Sequence, residues 1–166
     1  MSATPHATEI TDSRILIIDD QVANVELLET TLLAEGFQNL AATTEPANAY
    51  ALCCAFQPDL IMLDLKMPVV DGYAVLSRLA ELRADQYLPV VVLTADVSRA
   101  ARHKALGLGA TDFLTKPLDN IEVMLRVWNL LEARQLYTRL RALGATDGMG
   151  LQARRIQALG APSDLP

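Results

Sequence analysis

Asp59-Leu-Ile-Met-Leu-Asp-Leu-Lys-Met-Pro-Val-Val-Asp-Gly72 is the stretch that decides the fold. From Leu60 to Leu63 it has no polar residue, and the run closes on the carboxylate of Asp64. A run that is apolar at every position lacks the alternation of a half-exposed strand. It suits a strand buried on both faces, as at the centre of a parallel sheet. The loop Leu65–Asp71 follows, with Pro68 inside it, and from Gly72 the residues Tyr73, Leu76 and Leu79 fall on one helical face. The unit is strand, carboxylate at the strand end, loop, helix.

The same unit recurs on both sides. Arg14-Ile-Leu-Ile-Ile18 is a first strand ending in Asp19-Asp20, followed by a helix from about Gln21 to Glu35 that Gly36 stops. Phe37–Ala42 reads as a second strand. Thr44 or Glu45 opens the next helix, with Pro46 in its first turn, where a missing N–H is harmless, and Pro58 breaks it after Phe56. Leu88–Leu93 is a fourth strand ending in Thr94-Ala95; a helix over roughly 98–107 leads to a fifth strand, Thr111–Thr115, ending in Lys116-Pro117. Five strands alternating with five helices predict an α/β fold, a parallel sheet covered on both faces. Ligands of such sheets bind at the carboxyl ends of the strands.

The chain has 166 residues and is 51% hydrophobic, enough for a sizeable core, and that hydrophobic content excludes disorder of the whole chain. Residues 1–13 read as a flexible leader and 14–131 as the domain. From Asp119 to Leu143 no Gly or Pro occurs, so the last helix runs 25 residues, about 37 Å, with 132–143 as an extension beyond the domain. Residues 144–166 read as a flexible tail, with a short helix expected over 151–159. Leu136, Leu140 and Leu143 form an apolar stripe on the extension, which a second protomer or an output domain would cover.

Net charge is −6 and is unevenly spread, −7 over residues 1–116 and +1 over the rest. An acidic chain gains nothing from counterion release, so nucleic acid is not expected as a partner. No apolar run reaches a membrane span, and the polar N-terminus lacks the plan of a signal peptide, so a cytoplasmic protein is expected. The adjacent Cys53 and Cys54 cannot staple a fold and do not have a metal-site spacing. His6 and His103 are isolated.

The alternation brings Asp19, Asp20, Asp64, Thr94 and Lys116 to one edge of the sheet. Three carboxylates together repel and call for a cation; oxygen ligands suit Mg2+. A metal and a lysine around a carboxylate also suit a phosphoryl group, for which positioning and charge neutralisation are most of the chemistry. A carboxylate can itself be the nucleophile, and Asp64, on the middle strand, is the candidate. Taken singly, each residue has a plainer reading: Asp19-Asp20 as a helix cap, Asp64 as a turn residue, Thr94 as a cap, Lys116 as a surface lysine.

In this order, each at a strand end, the set resembles the receiver domain of two-component response regulators. The residues that carry the resemblance are Asp19-Asp20, Leu63-Asp-Leu-Lys-Met-Pro-Val-Val-Asp-Gly72, Thr94-Ala95 and Lys116-Pro117. It implies the flavodoxin-like strand order 2-1-3-4-5, with Asp64 as phosphoacceptor. Asp20, Asp64 and the backbone carbonyl of Lys66 would hold Mg2+, with Asp19 helping through water or as a further ligand. Lys116 and Thr94 would contact the phosphoryl group, with Ala95 in the same switch segment. The Lys116–Pro117 peptide would be cis, and Phe113 would be the aromatic switch residue. Lys66 and Asp96 would flank the pocket mouth, and an ion pair between them is expected to tune phosphoryl lifetime.

The resemblance also implies a sensor histidine kinase or a phosphotransfer protein as donor and an unidentified downstream protein as reader. A homodimer would form through the last helix or through the face of the fourth helix, fifth strand and fifth helix. No turnover enzyme is expected. The alternative is the receiver part of a longer regulator with a cyclic-dinucleotide output domain, since 129–141 resembles the linker helix of such proteins. A haloacid-dehalogenase-type phosphatase is less favoured, because that class places a second aspartate where Lys66 stands. Nucleotide binding has neither of its glycine-rich motifs.

Overall fold

A computed structural model describes residues 9–83 and 86–144. Its five strands are β1 (Ile15–Ile18), β2 (Leu40–Thr43), β3 (Leu60–Asp64), β4 (Val90–Thr94) and β5 (Asp112–Thr115). They form one parallel sheet in the order β2-β1-β3-β4-β5, as expected. Every residue of β1, β3 and β4 is buried, whereas the edge strands β2 and β5 are mostly half-buried. This is the pattern that a sheet covered on both faces imposes on its central strands.

The helices are α1 (Val22–Ala34), α2 (Ala49–Phe56), α3 (Gly72–Glu81), α4 (Arg99–Gly107) and α5 (Asn120–Ala142). One core joins α1 and α5 to Ile15, Ile17, Leu60, Met62, Val91 and Leu93. The other joins α2, α3 and α4 to Leu16, Ile18, Ile61, Leu63, Val90 and Val92. Odd and even strand positions thus feed opposite cores, the two-residue period of a strand made visible. Asp71, Ser98 and Asp119 cap α3, α4 and α5 with side-chain oxygens that accept from Tyr73 N, Ala101 N and Glu122 N.

Three elements differ from their expected forms. Pro46–Asn48 is a separate 3-10 turn, so α2 starts only at Ala49 and ends on Gln57 in the left-handed region (φ 53°). Phe37 lies outside β2, although it is buried in the α1/α5 core with its ring edge-on to Trp128 at 5.5 Å. The expected leader does not stay loose up to residue 13: residues 9–11 are helical and Ile10 is buried in the same core. The rest of the leader and the expected 151–159 helix lie outside the described residues. Among the described residues no helix is long and apolar enough to cross a membrane.

The last helix runs 23 residues against the 25 expected, Asp119 and Leu143 being its caps, and its buried positions Val123, Met124, Val127 and Leu131 stop where the sheet stops. Beyond them Leu136, Leu140 and Leu143 are exposed. The extension is nevertheless fastened to its own domain. Arg134 donates from Nε to Asp59 at 3.0 Å and from Nη1 to the carbonyl of Tyr87; the Tyr87 and Tyr137 rings lie 5.5 Å apart; Arg139 pairs with Glu9.

Candidate functional site

The register aligns the strand ends. Ile18 is opposite Leu63, Asp64 opposite Leu93, and Thr94 opposite Thr115. The residues that follow β1 and β5, and those that end β3 and β4, therefore meet at one edge. Asp19, Asp20 and Asp64 place one oxygen each within 4.8 Å of one another. Asp19 and Asp64 are buried and Asp20 is partly so.

Each carboxylate is held differently. Asp19 has both oxygens engaged: Oδ1 accepts from Gln21 N at 2.9 Å, and Oδ2 from Asn24 Nδ2 at 3.1 Å and from Lys116 Nζ at 3.4 Å. Asp64 Oδ1 accepts from Lys66 N at 3.1 Å and faces Lys116 Nζ at 3.2 Å. Two buried oxygens, Asp20 Oδ1 and Asp64 Oδ2, have no protein partner. Such orphans are costly unless something else satisfies them. The one ammonium pairs with Asp19 and Asp64 and not with Asp20, so the cluster is short of positive charge. An oxygen-liganded divalent cation would supply what is missing, and the donor set fits Mg2+.

Burial pushes the Asp64 carboxyl above its ordinary value. The Lys66 N–H pulls it down, the Asp19 charge adds to the rise, and Lys116 opposes it. Helix capping does not explain the acidic pair, because the N-cap of α1 is Gln21 and makes no side-chain cap bond.

Thr94 is buried at the end of β4, and its Oγ1 accepts from Asp96 N at 3.0 Å, which leaves its own O–H proton to donate. The carbonyl of Thr94 accepts from Lys116 N at 2.9 Å, tying β4 to the lysine, and the Lys116–Pro117 peptide is cis. Ala95 is exposed. Phe113 is half-buried on β5, with the Arg102 guanidinium 5.3 Å above its ring.

Lys66 and Asp96 do not form the expected ion pair. Asp96 Oδ1 accepts from Ser98 N at 2.9 Å, and this bond, with the Ser98 hydroxyl, chiefly holds the Asp96 carboxyl below its ordinary value. The Lys66 charge adds only a smaller push from across the mouth.

Two contributors have a part the sequence did not assign: Asn24 was not singled out, and Gly72 was quoted only as the end of the motif. Asn24, one helical turn beyond the acidic pair, orients Asp19. Gly72 opens α3 against the loop that follows β3; a Cβ there would stand 2.6 Å from the Asp64 carbonyl oxygen and 2.7 Å from that of Leu65. No left-handed φ marks it, so only the three-dimensional approach explains the glycine.

Comparison with known proteins agrees with this geometry. The family model of the response regulator receiver domain matches residues 15–127. Response regulator PleD of Caulobacter vibrioides is 38% identical over 152 residues, 89% of this chain and 33% of PleD. The DNA-binding dual master transcriptional regulator RpaA of Synechocystis is 40% identical over 118 residues, 71% of this chain and 48% of RpaA. The chain thus spans between a third and a half of the length of these relatives. Among solved structures, the CheX-CheY-BeF3-Mg2+ complex from Borrelia burgdorferi matches with a TM-score of 0.66 and 28% identity, over 71% of this chain and 88% of that one. The receiver domain of Francisella response regulator 1452 matches with a TM-score of 0.67 and 26% identity, over 74% of this chain and 98% of that one. The match at 15–127 takes in the strands, the acidic cluster, Thr94 and Lys116, and by it the chain belongs to the response regulator receiver domain family.

Proposed function

We propose that the chain is a phosphoaspartate switch. Asp64 takes a phosphoryl group from a phosphohistidine of a sensor histidine kinase or phosphotransfer protein, in the cytoplasm. One observation carries this reading: Asp64 is buried with Oδ1 held by Lys66 N and Lys116 while Oδ2 has no protein partner. A carboxylate held through one oxygen and unpartnered at the other keeps an oxygen for the new bond.

In the transfer, an Asp64 oxygen forms the new O–P bond as the N–P bond of the donor breaks, and the departing imidazole keeps the electron pair. Asp20, Asp64 and the Lys66 carbonyl are the groups that would hold Mg2+, with Asp19 behind them. The ion would supply charge neutralisation on the phosphoryl oxygens. Lys116, already 3.2 Å from Asp64, pairs with a phosphoryl oxygen. Thr94 turns from its bond with Asp96 N and donates its hydroxyl to another, with Ala95 and Phe113 following. Such a local change biases a two-state element. The BeF3 and Mg2+ of the Borrelia burgdorferi CheX-CheY complex support the same chemistry at this site.

The output is a protein contact at the α4–β5–α5 face, and the exposed Leu136, Leu140 and Leu143 are a seam for a homodimer. The chain acts stoichiometrically and does not turn over substrate. One observation favours a second reading, the receiver part of a longer regulator with a cyclic-dinucleotide output domain. The likeness to PleD covers 89% of this chain, more than residues 15–127.

Incubation with Mg2+ and acetyl phosphate tests the switch. The expected result is an intact-mass gain of one phosphoryl group, absent with EDTA and absent in Asp64→Asn. Sustained hydrolysis of phosphomonoesters would instead make the chain a phosphatase.

A further inference from the structure

Helix α4 carries Arg99, Arg102, His103 and Lys104 and no carboxylate, and all four side chains are exposed. The chain's net charge is −6, so with three formal cations on this one helix everything else carries −9. None of the four forms an ion pair with a described residue; the pairs present involve Lys116, Arg126, Arg134 and Arg139. The carboxylates of the adjoining β5–α5 edge are occupied, since Arg126 lies 3.0 Å from Asp112 and 3.8 Å from Glu122.

Two of the cations are ordered without being neutralised. The Arg102 guanidinium lies over the Phe113 ring at 5.3 Å, and the Lys104 ammonium lies 4.1 Å from the centre of the Tyr73 ring. A ring face holds a cation in place but leaves its charge for a partner. The entropy of fixing these long side chains is thereby partly met before anything binds. Guanidinium groups also match carboxylates in a two-bond fork.

We propose that this face of α4 docks an acidic segment of another polypeptide, whose carboxylates pair with Arg99, Arg102 and Lys104. The proposal rests on the reading above, that the output is a protein contact at the α4–β5–α5 face, and adds the chemistry of the partner. Nucleic acid fits less well. A nine-residue helix is about 13 Å long, whereas a duplex carries a charge every 1.7 Å or so along its whole length. Beyond the helix the duplex would run against surface that is net negative, within reach of the screening length of about 8 Å. A short acidic peptide ends where the cations end.

The test is an NMR titration of the isotope-labelled full chain with a short capped peptide of Glu and Ala, at low and at high salt. A Gln/Ala peptide and a single-stranded DNA oligonucleotide serve as comparisons. Saturable shifts confined to residues 98–107 and Phe113 are expected, weakening about tenfold at high salt. The double variant Arg99→Glu/Lys104→Glu should lose most of the affinity. A Glu at position 99, in the first turn, suits the helix dipole and one at 104, in the last turn, opposes it, so the two effects offset and α4 itself should persist by circular dichroism. Arg141→Glu makes a charge reversal on α5 and should change the affinity less than twofold or so.

Several results would overturn the proposal: shifts away from α4, equal binding of the Gln/Ala peptide, tighter binding of the oligonucleotide, or equal weakening by Arg141→Glu. So would self-association of the chain at low salt that Arg99→Glu abolishes, which would make a second copy the occupant. Phosphoryl uptake measured on the same samples separates the two readings. Uptake without peptide binding removes the docking site alone, and peptide binding without uptake removes the switch alone.

Discussion

Asp64, Asp19 and Lys116 show how a buried charge is tolerated when its partners are arranged first. The strand-end carboxylates were legible in the sequence because each closes a run of apolar residues, where a charge is out of place unless it has a use, and the lysine because it ends the fifth strand before Pro117. Gly72 was not legible in this way, since glycine at the start of a helix has many causes. Its use is space: the backbone of α3 approaches the Asp64 and Leu65 carbonyls too closely for a Cβ. Gly72→Ala should therefore cost about 1–3 kcal/mol, as overpacking against backbone does. Urea unfolding should show a lower midpoint at unchanged slope, and slower phosphoryl uptake from acetyl phosphate should accompany it. Cys53 and Cys54 separate in the same spatial way, one buried and one exposed. Burial first, and then the neighbouring Cys54, pushes the Cys53 thiol from 9.0 up to about 11, with Arg83 opposing. Between those values the unfolded chain has released this proton and the native chain has kept it. Stability must then fall as pH rises through the window, by about 2–3 kcal/mol in total. Unfolding midpoints measured on both sides of the window should drop in the wild type and drop less in Cys53→Ala. Equal slopes would show that the thiol stays protonated in neither state or in both.

At the scale of elements, the central strands were the easiest to read and the joints the hardest. β1, β3 and β4 are continuous apolar runs because both faces of the sheet are covered, and no other short element needs that pattern. β2 has no such mark. Phe37 has strand-like character, but it serves the α1/α5 core from outside the ladder, against Trp128. The segment around Ile10 was lost for the converse reason, one buried apolar residue in a polar stretch having no period to detect. That segment matters for α5. The extension is fastened by Arg134 to Asp59 and the Tyr87 carbonyl and by Arg139 to Glu9, contacts between residues far apart in sequence. A helix end that would fray in isolation is thereby fixed in direction relative to the sheet. Arg134→Ala removes a charge-assisted pair worth roughly 1.5–3 kcal/mol. Amides of residues 134–142 should exchange with solvent about tenfold faster or more. Amides of 123–131, held by the core positions Val123, Val127 and Leu131, should be unaffected. Equal acceleration along the whole helix would mean that α5 opens as one unit and that the clasp does not set its end.

At the scale of the molecule, residues as distant as Asp19 and Lys116 become neighbours only because a parallel sheet puts all its carboxyl ends on one edge. The alternation of elements was enough to predict that edge. The order β2-β1-β3-β4-β5 was not in the alternation, and came from the likeness of the strand-end residues to receivers. Concentrating three carboxylates there has a cost for the fold, since one lysine leaves the cluster net negative and two buried oxygens unpartnered. On the proposed reading the site would accept a cation at the expense of the metal-free protein. Replacing Asp20 by Asn keeps the shape and removes one charge. In EDTA, Asp20→Asn should be more stable than the wild type by about 1–2 kcal/mol, which is roughly 2–4 °C in Tm per kcal/mol for a chain of this size. Mg2+ should raise the wild-type Tm by mass action, a tenfold excess over its dissociation constant adding about 1.4 kcal/mol. The variant should gain much less, so the gap between the two closes or reverses as Mg2+ is added. Differential scanning calorimetry with EDTA and across a Mg2+ series measures both effects, and equal Mg2+ gains in the two proteins would place the cation somewhere other than beside Asp20.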